Sequence, residues 1–177
     1  NDSSNVTGTN GLPDPSYRFG VNFWSSVDFG GSIGNNYGWI GVGYFRPRVS
    51  GTYKFYTRSD DGSGIWIGDL ALEGQTRTKD NATLDNAMGS GQSATERSAT
   101  IDLIAGVYYP FRAVMEETGG SDVFRISYEG PGVTKTTDLS EDFYASATAD
   151  GTITGDFNAP IPIAGVETTN QYYVLKL

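Results

Sequence analysis

The chain has 177 residues and a formal net charge of −9, which suits one compact acidic domain and excludes a nucleic-acid partner, since that needs a basic face. It holds no cysteine and no histidine, so disulfides, thiolate metal sites, imidazole bases and histidine-dependent nucleophiles are excluded with them. Twenty-four glycines and twenty-three aromatic residues favour short strands and tight turns over helices, and no apolar run is long enough for membrane insertion.

Residues 1–16 form a polar lead-in without the apolar core of a signal peptide. This favours a domain taken from a longer chain over one whose leader has been removed. Residues 17–44 are aromatic and glycine-rich, with Trp24, Tyr37 and Trp39 among them, and read as strands broken by loops. Residues 40–45 alternate and end before Pro47. Ser50-Gly51 is a turn, and 52–58 (TYKFYTR) alternates with period two, as a half-buried strand does. Asp60-Asp61-Gly62-Ser63-Gly64 is a loop and 65–72 a further strand. Together they predict a hairpin with two aspartates at its tip.

Residues 73–98 are small and polar and predict a long excursion with a helical turn at 84–88. Residues 99–104 predict a strand, and Gly106 a turn. Residues 107–115 predict another strand, at an edge or a bulge because of Pro110. Residues 116–122 (EETGGSD) make a second acidic loop, and 123–128 return as a strand, giving a second hairpin. The main body spans about 17–145. Residues 146–177 read as a linker or closing strand, with 171–177 (QYYVLKL) the candidate strand. The expected fold is all-β, an antiparallel β-sandwich of jelly-roll type with long loops, formed by one domain over 1–177.

In a sandwich, loops collect at the two ends, so Asp60 and Asp61 can meet Glu117 and Asp122. Like charges brought together are unfavourable unless a cation lies between them. With only oxygen donors at hand, calcium is the expected ion. Two other readings stay open. Asp-Asp-Gly and Glu-Glu-Thr-Gly-Gly are also ordinary turn sequences, and Asp60 with Glu117 has the composition of a glycosidase carboxylate pair. An EF-hand is a poor match, because Gly62 and Gly64 stand where that loop wants ligands and the flanks read as strands.

Several segments in order resemble the protective-antigen (PA-14) domain family. They are Gly43-Tyr44-Phe45, Gly51-Thr52-Tyr53-Lys54-Phe55, Asp60-Asp61-Gly62, Ile65-Trp66-Ile67-Gly68, and Ala105-Gly106-Val107-Tyr108-Tyr109-Pro110-Phe111-Arg112. The resemblance covers roughly 40–130. It is strongest to the calcium-dependent lectin branch, found in bacterial adhesins, fungal flocculins and epithelial adhesins. The fungal branch is disulfide-bonded and this chain has no cysteine, which favours the bacterial adhesins.

The resemblance implies that the adjacent aspartates, often joined by a cis peptide, lie on a first calcium loop. It implies a second loop giving one side-chain ligand, here Glu117 where the family has Asn, and two carbonyls, here of Gly119 and Ser121. Asp122 adds a possible further ligand. Two sugar hydroxyls complete the shell. Thr118, Gly120, Ser63 and Gln75 are further ligand-binding candidates around the mouth, as are Trp24, Tyr37 and Trp39, for which core packing is the favoured reading. The implied function is a non-enzymatic, calcium-dependent carbohydrate-binding module of a larger multidomain adhesin, extracellular and at the cell surface. Its expected partners are cell-surface glycans or free sugars of fucose, mannose, galactose or glucose type. The alternatives are an accessory domain of a secreted glycosidase, and a non-lectin structural or oligomerisation module with structural calcium.

Overall fold

The computed structural model describes residues 28–31 and 35–144. The expected strand at 171–177, the linker reading of 146–177, the lead-in and Trp24 lie outside the described residues.

Among the described residues ten strands follow one another: β1 (Asp28–Gly31), β2 (Tyr37–Phe45), β3 (Gly51–Asp60), β4 (Ser63–Ile67), β5 (Leu84–Asn86), β6 (Thr95–Leu103), β7 (Tyr109–Glu117), β8 (Asp122–Gly130), β9 (Val133–Thr136) and β10 (Phe143–Tyr144). They make two five-stranded sheets. The first runs β1-β8-β3-β6 with β9 also on β8, and the second runs β10-β2-β7-β4-β5. Every pairing is antiparallel. The expected antiparallel β-sandwich is what the chain forms.

Alternation decides what fills the space between the sheets. Along β3, Tyr53, Phe55, Thr57 and Ser59 are all fully buried. Phe111, Ala113, Met115 and Glu117 are the corresponding inward set on β7, and Asp122, Phe124, Ile126 and Tyr128 on β8. Each series changes character along its strand. One end of the sandwich interior is aromatic, with Phe45 edge-on to Tyr53, Phe55, Tyr128 and Phe143 at 5.0–5.3 Å between ring centroids. Each such buried ring contributes on the order of 2 kcal/mol. The other end is polar, and both acidic loops lie there.

The two expected hairpins are corrected. β3 belongs to the first sheet and β4 to the second, so 60–63 crosses between sheets. Likewise β7 and β8 lie in different sheets, and 117–122 is a second crossing. Alternation fixes which face of a strand is buried but not which neighbour it pairs with. Pro110 is also not at an edge, since β7 lies between β2 and β4. The proline is tolerated because it stands second in the strand, beyond the Ile67↔Phe111 pair where β4 stops. The strand from 65 is shorter than expected. It ends at Ile67, and Gly68 (φ 87°) turns the chain into a 3-10 turn over Asp69–Ala71. The helical turn expected at 84–88 is instead the edge strand β5, paired to β4 through Ser63↔Asn86 and Ile65↔Leu84.

Candidate cation and ligand site

Both crossings reach the same end of the sandwich. The register sets Asp60 opposite Val123, Tyr37 opposite Glu117, and Gly31 opposite Asp122. The first crossing is stitched to the second sheet where the Glu116 N–H donates to the Gly62 carbonyl at 2.8 Å. Gly62 is required there, because a Cβ would meet the Ala87 carbonyl oxygen at 2.5 Å. The Asp60–Asp61 peptide is cis.

Asp61 is held by hydrogen bonds from both sides. Its Oδ1 accepts from the Gln92 N–H at 3.0 Å, and its Oδ2 accepts from the Thr118 N–H at 2.9 Å and from the Thr118 hydroxyl. Burial pushes its pKa up, but the donors of Thr118 and Gln92 outweigh burial and hold it below the usual carboxylate value. Asp61 thus remains an anion at one edge of the second loop.

Glu117 is the opposite case. It is 1 % exposed, and neither carboxylate oxygen makes a well-formed hydrogen bond. Burial, then the charges of Asp61 and Asp122, push its pKa up to about 7, with the Gly119 N–H giving a weak opposing pull and Asp60 a further push. Asp122 is fully buried at the start of β8. The Tyr37 phenol is raised well above its usual value, by burial first and then by Asp122 and Glu117. Among the described residues no ion pair reaches Asp60, Asp61 or Glu117. A nearly buried carboxylate with two orphaned oxygens, facing other carboxylates, fits a hard cation with oxygen ligands.

The sequence-predicted residues divide into those at this end and those elsewhere. Asp60, Asp61, Glu117 and Asp122 are at this end. Thr118, Gly119, Gly120 and Ser121 form the exposed loop between Glu117 and Asp122. No group of three or more acidic side chains is gathered closely enough to hold a metal among the described residues, and both oxygens of Asp61 accept hydrogen bonds, from Gln92 and Thr118. A hydrogen-bonded carboxylate oxygen still has lone-pair capacity, so this does not disqualify Asp61 as a ligand.

Two ligand-binding candidates lie away from this mouth. Ser63 is fully buried and faces inward, its hydroxyl bonded to Ser59 at 2.7 Å and Thr57 at 2.9 Å. As the first residue of β4, on the face of Ile65 and Ile67, it points between the sheets. Gln75 lines a cavity of about 550 Å³ on the outer face of the second sheet with Trp66, Arg77, Arg112 and Glu116, which Asp60, Asp61 and Glu117 do not line. Tyr37 is a core residue at 6 % exposure, and Trp39 packs on Phe124 at 5.0 Å.

Four residues at this end escaped the sequence reading. They are Gln92 and Asn86, described below, Gly91, where a Cβ would stand 3.4 Å from Asp61 Oδ1, and Asn35, whose side chain lies against Gly119. None of the four carried a signal, Asn86 least of all, since it fell within the helical turn expected at 84–88.

With this geometry in view, comparison with known proteins gives three results. The model of the GLEYA domain family matches residues 39–130. A comparison with curated proteins finds no match. Among solved structures, an anti-sigma factor domain-containing protein is similar at 24% identity and TM-score 0.55, over 70% of this chain and 41% of that one. One from Clostridium clariflavum is similar at 22% identity and TM-score 0.53, over the same shares of 70% and 41%. The epithelial adhesin 6 A domain from Candida glabrata, in complex with Galβ1-3GlcNAc, is 22% identical with TM-score 0.49, over 62% of this chain and 51% of that one. The chain spans about half the length of these structures or less, and at these identities the likeness to the two anti-sigma factor domain-containing proteins bears on the fold alone.

Proposed function

The chain belongs to the GLEYA domain family, and from that premise we propose that it is a calcium-dependent carbohydrate-binding module of a cell-surface adhesin. Membership sets it among adhesin- and lectin-type binding domains, not enzymes. The observation that carries the reading is Glu117, a buried carboxylate without a counter-charge or a well-formed hydrogen bond, set by the two sheet crossings beside Asp60, Asp61 and Asp122. In this reading Asp60, Asp61 and Glu117 hold the ion, with Asp122 and the Gly119 and Ser121 carbonyls as further oxygens.

Calcium takes about six to eight oxygens. When bound, it would offset most of the loops' negative charge and leave coordination places for a vicinal diol of a sugar. This chain's residues orient those places. Thr118 and Gln92 fix Asp61, Gly62 lets the first crossing run against Ala87, and the exposed 118–121 loop forms the rim. A monosaccharide buries little surface, so affinity should be weak, about millimolar to high micromolar. Attachment would then depend on many copies acting together.

The test is a glycan array carrying galactose-, fucose-, mannose- and glucose-type sugars, read with calcium and with excess chelator, beside calorimetric calcium titration of the free domain. Binding that needs calcium supports the reading. Glycan binding that survives chelation, or a titration without heat and without a rise in melting temperature, overturns it. No described helix is long and apolar enough to cross a membrane.

A further inference from the structure

Behind the first acidic loop lies a buried polar cluster that strand alternation alone does not explain. Thr57, Ser59, Ser63 and Asn86 are each fully buried, at the polar end of the space between the sheets. They come from three strands, β3, β4 and β5, and the hydroxyls bond to one another. Asn86 Nδ2 donates to the Thr57 carbonyl at 3.1 Å and the Thr95 carbonyl at 3.0 Å, so it bonds to both β3 and β6 of the opposing sheet.

Gln92 continues this network outward. Its Nε2 lies 3.0 Å from Asn86 Oδ1, 3.1 Å from the Asp61 carbonyl and 3.3 Å from the Ser59 carbonyl. All these neighbours are acceptors, so the amide has one workable orientation, with its NH2 toward them. The same residue's backbone N–H holds Asp61 Oδ1. Asp61 is therefore gripped twice by one residue thirty-one positions away, on its carbonyl and on its carboxylate. The grip is anchored through Asn86 to both sheets.

We propose that Gln92 is a positioning residue for the cation loop, its side-chain amide holding the Asp61 backbone in the ligand-ready arrangement before any cation arrives. This rests on the calcium reading above. A loop that is already ordered loses less conformational freedom on binding, so removing the clamp should weaken binding more than it weakens the fold. Gln92 is half-buried and meets Asp61 through two hydrogen bonds.

The experiment is calcium titration by calorimetry, with melting temperature in chelator, on the wild type and on Gln92→Met and Gln92→Glu. Methionine keeps the length and removes the donors. Glutamate also removes them but adds a negative charge, which on charge alone should strengthen cation binding. The clamp predicts calcium binding weaker by about tenfold or more in both variants. It also predicts a chelator melting temperature close to wild type for Gln92→Met, whereas Gln92→Glu, which sets a carboxylate against acceptors only, should melt lower. Wild-type affinity in Gln92→Met, or tighter binding in Gln92→Glu, overturns the clamp while leaving the calcium reading intact. A wild type that binds no calcium overturns both.

Should a variant fail to fold, the wild type itself supplies the measurement. The chain has three glutamines, Gln75, Gln92 and Gln171, so glutamine-selective nitrogen labelling gives few side-chain amide signals. The Gln92 pair, identified by its proximity to Asn86, should exchange slowly with water without calcium and shift when calcium is added. Rapid exchange without calcium, or no shift at saturating calcium, overturns the clamp.

Discussion

The two ends of the sandwich each bury a carboxylate, and they treat it in opposite ways. At the aromatic end Asp142 is fully buried, pairs with the Arg48 guanidinium at 2.7 Å, and accepts from the Tyr128 hydroxyl at 2.7 Å. At the polar end Glu117 is 1 % exposed and has no counter-charge among the described residues, only other acids. The chain compensates one buried charge from its own residues and leaves the other uncompensated among the described residues. Under the proposed reading, a structural carboxylate and a binding carboxylate would be told apart by their partners, since burial is the same for both.

The largest expected effect breaks the self-sufficient end. Asp142→Ala removes the acceptor of a buried tyrosine hydroxyl, and should cost about 3 kcal/mol in urea unfolding. Most of that comes from Tyr128, because Arg48 is half-exposed and its pair is screened. The loss should be equal with and without calcium. A cost below about 1 kcal/mol, or one that calcium restores, would dissolve the contrast between the ends.

The second effect concerns pH and belongs to the polar end alone. The Glu117 pKa is raised in the folded domain from 4.5 to about 7, so the fold prefers its protonated form. The penalty is absent below about pH 4.5, grows as pH rises through that interval, and is fully present above pH 7. In chelator, lowering the pH from 7.5 to 5 should therefore stabilise the domain by about 2 kcal/mol. The shift at Asp61 has the opposite sign. Its contribution is lost only as pH falls below the usual aspartate value, outside that window. Urea unfolding in chelator at several pH values checks this, and a flat profile would mean that Glu117 is already compensated. Calcium affinity should fall over the same interval, because protons compete for Glu117.

Much of this contrast was legible in the sequence. Alternation along 52–58 locates a buried face, and the family resemblance put Glu117, not Glu116, at the ligand position, which the alternation of β7 sets between the sheets. The acidic character of both loops was equally plain. What sequence could not show was pairing. Two strands joined by a short loop read as a hairpin, whereas here each short loop passes from one sheet to the other. That geometry brings the two loops to one end, and it turns Ser63 inward, away from the mouth. Gln92 was hidden for a further reason. A lone glutamine in a small, polar stretch has no periodicity, and its partners, Asp61 and Asn86, become neighbours only through the fold. The compensation of Asp142 by Arg48 was hidden likewise, across ninety-four positions.

A smaller effect sharpens the polar end. Glu117→Gln removes the uncompensated charge but keeps the shape. In chelator at pH 7.5 it should stabilise the domain by about 1 kcal/mol, less than protonation does, because the new NH2 also needs acceptors. In calcium the order should reverse, with the variant losing the stabilisation that bound ion gives the wild type. Melting curves of both proteins, with and without calcium, should cross over in rank. A variant less stable in both conditions would show that Glu117 acts as an ordinary structural group.

The smallest effect is expected one residue away. Glu116 precedes Glu117 on β7 and so projects from the opposite face of the sheet. It lines the outer cavity with Trp66 and Arg112, and its Oε2 accepts from the Gly89 N–H at 2.8 Å. It is partly exposed, and water can replace that single bond, so Glu116→Gln should change stability by less than about 1 kcal/mol. Removing its charge alters the field at the cation loops only from across the sheet, so calcium affinity should stay within about twofold of wild type. Side-by-side calcium titrations of Glu116→Gln and Glu117→Gln isolate the effect of direction, since the two substitutions are chemically identical and adjacent in sequence. Equal losses would show that the site responds to the net charge of the loop. A larger loss for Glu116→Gln would move the binding carboxylate to the outer face and detach it from Asp61. A loss confined to Glu117→Gln ties binding to the inward carboxylate, whose two oxygens the chain leaves without a well-formed hydrogen bond.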